Sequence, residues 1–255
     1  AIARGGSALS SFRNLNRNER VSTENRSVVL TVDEWMSAEV NPEAMPERSG
    51  PCILGVDLGG SRSMSAAAFY WPETGRLEAL GTFPATPSLA DRGAADGVSD
   101  RYVQMQDRGE LSVMGEATVP PGRWLAQIVR HLDGAEVACI VGDRFRHAEF
   151  TEAMQGAGLA RVPFIWRGFG WKDGSEDIER FRRALFDGDV KAAPSLLLRF
   201  AFADAITLVD PAGNHKLAKA RSLGRIDAAA AAVLAVAQGA RMKAAPERRS
   251  RATWA

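Results

Sequence analysis

Three aspartates stand at the ends of apolar segments in this sequence. Asp57 interrupts the run Ile-Leu-Gly-Val-Asp-Leu, Asp143 follows the run Val-Ala-Cys-Ile-Val-Gly, and Asp227 opens a run rich in alanine. An unpaired carboxylate is costly to bury, so three at the edges of core elements indicate a shared partner. A divalent cation such as Mg²⁺ meets that need, because hard cations bind oxygen ligands.

These carboxylates come together if the strands that end at Asp57 and Asp143 are neighbours in one sheet. Carboxylates that converge repel one another, and one or two Mg²⁺ ions remove that repulsion. Two such ions about 4 Å apart suit the attack of water on a phosphodiester. Simpler interpretations are that Asp227 is a helix N-cap and that Asp143 forms an ion pair with Arg144. Asp57 is the hardest of the three to explain structurally, because it interrupts a core strand.

Basic side chains lie near the second and third aspartates in the sequence. They are Arg144, Arg146, Lys216, Lys219, Arg221 and Arg225. Such residues contact DNA phosphates independently of base sequence and with an affinity that falls as salt rises, and a solvated surface is the alternative. Residues 166–172, Trp-Arg-Gly-Phe-Gly-Trp-Lys, suit either nucleic-acid binding or loop packing. The sequence has no G-x-x-x-x-G-K-[ST] loop, which argues against a P-loop ATPase.

The composition is that of an ordinary globular protein. The 255 residues suit one large domain or one domain with extensions, and 45% of them are hydrophobic. Cys52 and Cys139 lie in strand-like runs, which predicts two buried thiols rather than a disulfide and fits a reducing cytoplasm. No apolar stretch reaches the roughly 18–20 residues of a membrane span. The chain does not begin with Met, so we expect a fragment or a processed chain.

Hydrophobic periodicity predicts elements in the order βββ-α-β-α-β-α-α-α, with one further helix at residues 90–106 after the third strand. The predicted strands are residues 53–57, 65–71, 76–83, 137–141 and 161–167. The predicted helices are residues 90–106, 122–133, 148–158, 178–186, 195–207 and 228–242. Three antiparallel strands followed by βαβ units predict an α/β fold, a mixed sheet of five or more strands with helices on both faces. Residues 1–50 are expected to lack a packed core, although Trp35 is expected to pin them to the main body.

Four segments carry a resemblance to a known family. They are residues 55–61 (Gly-Val-Asp-Leu-Gly-Gly-Ser), 141–146 (Val-Gly-Asp-Arg-Phe-Arg), 214–219 (Asn-His-Lys-Leu-Ala-Lys) with 225–230 (Arg-Ile-Asp-Ala-Ala-Ala), and 11–16 (Ser-Phe-Arg-Asn-Leu-Asn) through Trp35. Together they resemble the C-terminal nuclease domain of phage large terminase subunits, which has a ribonuclease-H-like fold. The segment around Asp227 is the most specific. The first motif departs from the family's usual Asp-Leu-Ser, because Gly59 and Gly60 follow Leu58 here.

The resemblance implies that Asp57, Asp143 and Asp227 are catalytic acids that bind one or two Mg²⁺ or Mn²⁺ ions. The implied reaction is cleavage of concatemeric double-stranded DNA during viral genome packaging in the host cytoplasm. The implied organisation is a linker at residues 1–50 after an ATPase domain that this sequence lacks, a ribonuclease-H-like nuclease domain at 51–245, and a basic tail at 246–255. The implied partners are DNA, the ATPase domain, the small terminase subunit and the portal.

Two other functions remain open at this point. Residues 57–61, Asp-Leu-Gly-Gly-Ser, also resemble the first phosphate loop of sugar kinases and actin-like ATPases. Such a protein needs a second Asp-x-Gly phosphate loop and a Gly-rich adenosine site near the C-terminus, and the sequence gives no clear signal for either. The chain is also short for the two lobes of such a protein. The second alternative is a DNA-packaging adaptor that keeps the nuclease fold without its chemistry. Loss of metal-dependent DNA cleavage on mutation of the three acids discriminates between an adaptor and a nuclease.

Overall fold

A mixed seven-stranded sheet forms the centre of the protein, which we describe from a computed structural model covering residues 28–219 and 225–244. Its strands are β1 (Cys52–Asp57), β2 (Ser65–Trp71), β3 (Arg76–Phe83), β4 (Leu111–Val113), β5 (Val137–Gly142), β6 (Phe164–Trp166) and β7 (Lys191–Ala192). The order across the sheet is β4-β3-β2-β1-β5-β6, and β7 pairs with β3. The strands β1, β2 and β3 are antiparallel, whereas β5 and β6 run parallel to β1.

Eight α-helices and one hairpin accompany this sheet in the described residues. The helices are α1 (Val32–Met36), α2 (Leu89–Ala95), α3 (Arg101–Asp107), α4 (Pro121–Leu132), α5 (His147–Gly156), α6 (Trp171–Phe186), α7 (Leu196–Asp204) and α8 (Asp227–Ala244). A short 3₁₀ turn spans Pro42–Ala44, and β8 (Thr207–Val209) and β9 (His215–Leu217) form the hairpin. Across the described chain, none of the helices has the length and apolar character that crossing a membrane requires.

Strand β1 is buried along its whole length, because it has a neighbouring strand on each side and both of its faces are covered. Gly55 pairs with Ala68 of antiparallel β2, and Val56 pairs with Gly142 of parallel β5. Carboxyl ends of parallel neighbours open at the same edge of a sheet. Asp57 and Asp143 therefore emerge at one edge, as the sequence predicted.

Helices cover both faces of the sheet, as the alternating side chains of the strands require. One face of β2, exemplified by Ala68 and Tyr70, packs with α6, α7 and α8. The opposite face, exemplified by Phe69 and Trp71, packs with α4 and α5. The predicted α/β class with helices on both faces is confirmed.

Helix α8 lies unusually close to β1, because glycine and alanine face each other at the contact. A Cβ atom added to Gly55 would overlap the carbonyl oxygen of Ala231 and would lie 3.0 Å from the Cβ of Ala235. The long alanine run is therefore a close-packing surface and every residue from Ala228 to Gly239 is buried.

Residues 28–50 pack on the main body, so the expectation that this segment lacks a core was wrong from Val28 onward. Val29 and Leu30 are fully buried, and the ring of Trp35 stacks on Phe202 at 4.5 Å. Thr31 caps α1 and forms a reciprocal capping box with Glu34. The polar and Pro-rich composition of the segment concealed these few apolar anchors. Residues 1–27 and the predicted tail at 246–255 lie outside the described residues.

A charged cluster around Glu78 ties the segment before β1 to the sheet. Arg48 donates to the Glu78 carboxylate at 2.6 Å, and Arg76 and His131 contact the same group. Burial alone would raise the pKa of Glu78, but these hydrogen bonds outweigh it and hold the pKa well below its ordinary value. This cluster holds the segment before β1 against strand β3.

Several element boundaries differ from the sequence prediction for local reasons. The predicted helix at 90–106 is two helices, because residue 97 is a glycine with φ of +69° that ends the first. Helix α6 begins at Trp171 rather than at Ile178, with Gly174 inside it. Strands β4 and β7 to β9 are only two or three residues long and gave no periodic signal. Both cysteines are buried and free, as predicted.

Candidate active site

Asp57 is the last residue of β1 and is only 2% exposed. It lies two residues beyond Gly55, so its side chain points to the face that α8 covers. Burial raises the pKa of its carboxyl to about 7, against the opposing effect of the Lys219 ammonium. The negative charges of Asp227 and Asp143 raise this pKa further, which indicates that all three predicted acids lie close enough to interact.

Asp227 is the first residue of α8, and the packing of that helix brings it to Asp57. It precedes Ala231 by four residues, or about 6 Å along a helix. Asp57 lies beyond Gly55 by two residues, or about 6–7 Å along a strand. Because Ala231 contacts Gly55, these two lengths place the carboxylates side by side.

One ammonium group joins these two carboxylates. Lys219 Nζ donates to Oδ2 of Asp57, and it lies 3.3 Å from Oδ1 of Asp227. Burial disfavours the charge of Lys219, but the two carboxylates outweigh that effect and its pKa is raised. The Lys219 side chain is 40% exposed, so this cation position is open to solvent on one side. The two acids are thus already arranged around a cation.

Asp143 lies directly after β5 and takes a different partner. Its Oδ1 accepts a hydrogen bond of 2.9 Å from the backbone N–H of Phe145. Within residues 28–219 and 225–244 it forms no ion pair with Arg144, which excludes the alternative structural role predicted for it. In the same residues no three His, Cys, Asp or Glu side chains are grouped closely enough to hold one metal ion. Asp143 therefore lies near Asp57 and Asp227 but does not share their contact with Lys219.

Two of the predicted DNA-binding arginines are occupied by structural contacts. Arg146 donates to the carbonyl oxygens of Gly59 and Val119, both at 3.2 Å, and joins two loops. Arg225 pairs with Asp96 at 2.8 Å and fastens the chain just before α8.

The other predicted basic residues differ in their placement. Arg144 is exposed at the edge that carries Asp143. Lys216 lies 4.2 Å from the centre of the Trp171 ring, and Lys219 faces the two acids. Arg221 lies outside the described residues.

Two positioning elements of the site had only weak sequence signals. Gly59 has no room for a Cβ beside the carbonyl oxygen of Met64, and its N–H donates to Ser65 Oγ at 3.0 Å. This explains why glycine follows Leu58 in this chain. Phe169 places its ring 5.0 Å from Lys219 Nζ, so the aromatic and basic segment at 166–172 supports the lysines of the site.

The comparison with known proteins identifies the family. A family model for the endonuclease domain of the terminase large subunit matches residues 2–243. The chain belongs to this family. The terminase large subunit of Enterobacteria phage HK97 is 26% identical over 228 residues, covering 88% of this chain and 44% of the phage protein. This terminase nuclease domain thus spans less than half the length of that relative.

Solved structures show the same fold for the terminase nuclease domain. The HK97 bacteriophage large terminase superposes with a TM-score of 0.74 at 24% identity, covering 93% of this chain and 48% of that one. The large terminase nuclease of thermophilic phage G20c, in a structure with bound magnesium, gives 0.53 at 14% identity, covering 84% and 98%. The predicted ribonuclease-H-like fold is confirmed, and the kinase alternative finds no support.

Proposed function

We propose that this terminase nuclease domain hydrolyses phosphodiester bonds in double-stranded DNA with the help of a divalent cation. The observation that carries the proposal is the convergence of Asp57 and Asp227 on one cation position. Two carboxylates on rigid elements, one of them 2% exposed, supply hard oxygen ligands at a partly open edge. Such a donor set suits Mg²⁺ or Mn²⁺.

The side chains divide the work in this proposal. Asp57 and Asp227 would hold one or two cations, and Asp143 would complete the ligand set in place of its hydrogen bond with the N–H of Phe145. When bound, the cations supply a metal-activated water and stabilise the leaving oxygen. The relative from phage G20c was crystallised with bound magnesium, which supports this choice of ion.

The basic residues at this edge orient the substrate. Arg144 is exposed beside Asp143, and we assign it to the DNA backbone. Lys216 is half-buried against the Trp171 ring, which limits its freedom and fixes its charge beside the site. Arg146 and Arg225 act indirectly, since they hold the loops and the start of α8. These contacts position DNA without reading its sequence.

The biological setting is proposed from the HK97 relative, of which this chain covers less than half. We assign the domain to cleavage of concatemeric DNA during genome packaging in the host cytoplasm. Its motor is an ATPase domain joined through residues 1–50, and the small terminase subunit and the portal are its further partners. Residues 51–245 form the nuclease in this assignment.

Conservative substitution of each acid tests the proposal. Asp57→Asn, Asp143→Asn and Asp227→Asn keep the side-chain volume and remove the charge. We expect each to reduce Mn²⁺-dependent nicking of supercoiled plasmid by about 100-fold or more, while DNA binding persists. Glu152→Gln, on the exposed surface of α5, is the matched control and retains full activity.

The same experiment separates the nuclease from an adaptor. If the wild-type protein binds DNA but fails to nick it in the presence of any divalent cation tested, the result supports the adaptor. Undiminished cutting by all three Asp→Asn variants contradicts the assignment of the acids.

A further inference from the structure

Lys219 occupies the position that joins the two converging acids. Its ammonium donates to Oδ2 of Asp57 and lies 3.3 Å from Oδ1 of Asp227. Charge-assisted hydrogen bonds of this kind are about twice as strong as neutral ones. Without this ammonium two neighbouring carboxylates, one of them buried, would face each other, which is unfavourable.

The surroundings of Lys219 hold the ammonium there. Phe169, in the loop between β6 and α6, presents its ring 5.0 Å from Nζ. The ring face is negatively polarised and attracts the cation. Lys219 also lies two residues after Leu217, the last residue of β9, and Leu217 pairs with Thr207 of β8. The lysine is therefore placed by the hairpin and by an aromatic neighbour.

We propose that Lys219 is a resident counter-cation, which must leave Asp57 and Asp227 before a divalent cation is held by them. The inference rests on the proposed function, because it needs these acids to be metal ligands. An ammonium and a divalent cation compete for these carboxylate oxygens, because two positive charges at one position repel each other. Lys219 thereby stabilises the metal-free protein and opposes metal loading.

Two features make this exchange feasible. The Lys219 side chain is 40% exposed and ends a flexible four-carbon stem, so the ammonium can rotate into water. The Phe169 ring offers a contact that can persist when the carboxylates are released. Asp143 accepts a hydrogen bond from the N–H of Phe145, which an incoming cation can replace.

Side-chain NMR of the lysine ammonium groups tests the exchange directly in the wild-type protein. In EDTA we expect a protected ¹⁵N–¹H ammonium signal from Lys219, assigned by its absence in Lys219→Arg. Saturating Mg²⁺ should abolish this signal, whereas the signals of the control residue Lys172, which is exposed at the start of α6, stay unchanged. Calorimetry on the same sample establishes that Mg²⁺ has bound.

A variant gives the thermodynamic counterpart. Lys219→Met keeps the aliphatic stem and removes the competing charge, so we expect Mg²⁺ affinity to rise about tenfold at pH 9, equivalent to ~1.4 kcal/mol. Lys191→Met, exposed on β7, is the matched control and should bind Mg²⁺ like the wild type. Bound Mg²⁺ with an unchanged Lys219 signal, or an affinity that does not rise in Lys219→Met, overturns the inference alone. Calorimetry that detects no Mg²⁺ binding to the wild type overturns the proposed function as well.

Discussion

Replacing Gly55 by alanine should separate the carboxylates of Asp57 and Asp227 without touching either of them. The added Cβ would overlap the carbonyl oxygen of Ala231 and lie 3.0 Å from both its carbonyl carbon and the Cβ of Ala235. Carbon atoms pack best at about 3.5–4.0 Å, and the overlap with the carbonyl oxygen is more severe than either carbon contact, so α8 must move away from β1 by roughly 1 Å or more. Asp227, one turn before Ala231, moves with the helix.

This displacement has two measurable consequences. Overpacking of a well-packed core costs about 1–3 kcal/mol, which lowers the melting temperature of a domain of this size by roughly 2–12 °C. A misplacement of about 1 Å in an active site can reduce turnover about 100-fold. We therefore expect Gly55→Ala to stay folded at 25 °C and to nick plasmid about 100-fold more slowly.

Gly81→Ala in β3 is the matched control for this experiment. A Cβ at position 81 would meet only the ends of the Leu197 and Met64 side chains, at 3.3 and 3.4 Å. These flexible groups can adjust, so cleavage should remain close to that of the wild type. Plasmid nicking is measured under conditions where circular dichroism shows both variants folded. Wild-type cleavage and melting temperature in Gly55→Ala would refute the claim that the contact between α8 and β1 sets the site.

Three further predictions concern the supports of the site. Glu78→Gln should cost about 3 kcal/mol in urea unfolding at pH 7, and it should remove part of the acid sensitivity. Because hydrogen bonds outweigh burial and lower the pKa of Glu78, its contribution to the free energy of unfolding is complete above about pH 4.5 and is lost as the pH falls below that value. If the variant loses stability in acid as steeply as the wild type, this role is excluded. Trp35→Ala should destabilise by about 3–5 kcal/mol, against less than about 0.5 kcal/mol for the exposed neighbour Met36→Ala, and equal unfolding midpoints would show that residues 28–50 are not part of the folded unit. Arg225→Met should slow nicking but leave the salt dependence of DNA affinity unchanged, since its partner is Asp96; a shallower salt slope would instead make it a phosphate contact.

The arrangement of the acids was predictable from sequence to a large extent. Apolar runs that end at Asp57 and Asp143 predicted two core strands, and the structure places them as parallel neighbours. The alanine run after Asp227 predicted a buried helix. What the sequence pattern could not supply is the distance between α8 and β1, which depends on Gly55 having no side chain at the contact.

The basic residues show the limits of reasoning from sequence position. Arg144 and Arg146 are two residues apart, yet one is exposed and the other joins two loops through backbone carbonyls. Lys219 was predicted as a DNA contact, and the structure instead places its ammonium against Asp57 and Asp227. Such pairings span more than a hundred residues of sequence and depend on how the hairpin packs, which local periodicity does not report.

Anomalous scattering from a crystal soaked in Mn²⁺ tests most directly that the acids hold the catalytic cation. Data collected at the manganese absorption edge distinguish manganese from water and from lighter ions. We predict at least one strong peak in contact with carboxylate oxygens of both Asp57 and Asp227, with Asp143 turned toward it. A crystal of active protein whose manganese peaks lie elsewhere, with these carboxylates free of metal, would contradict the account.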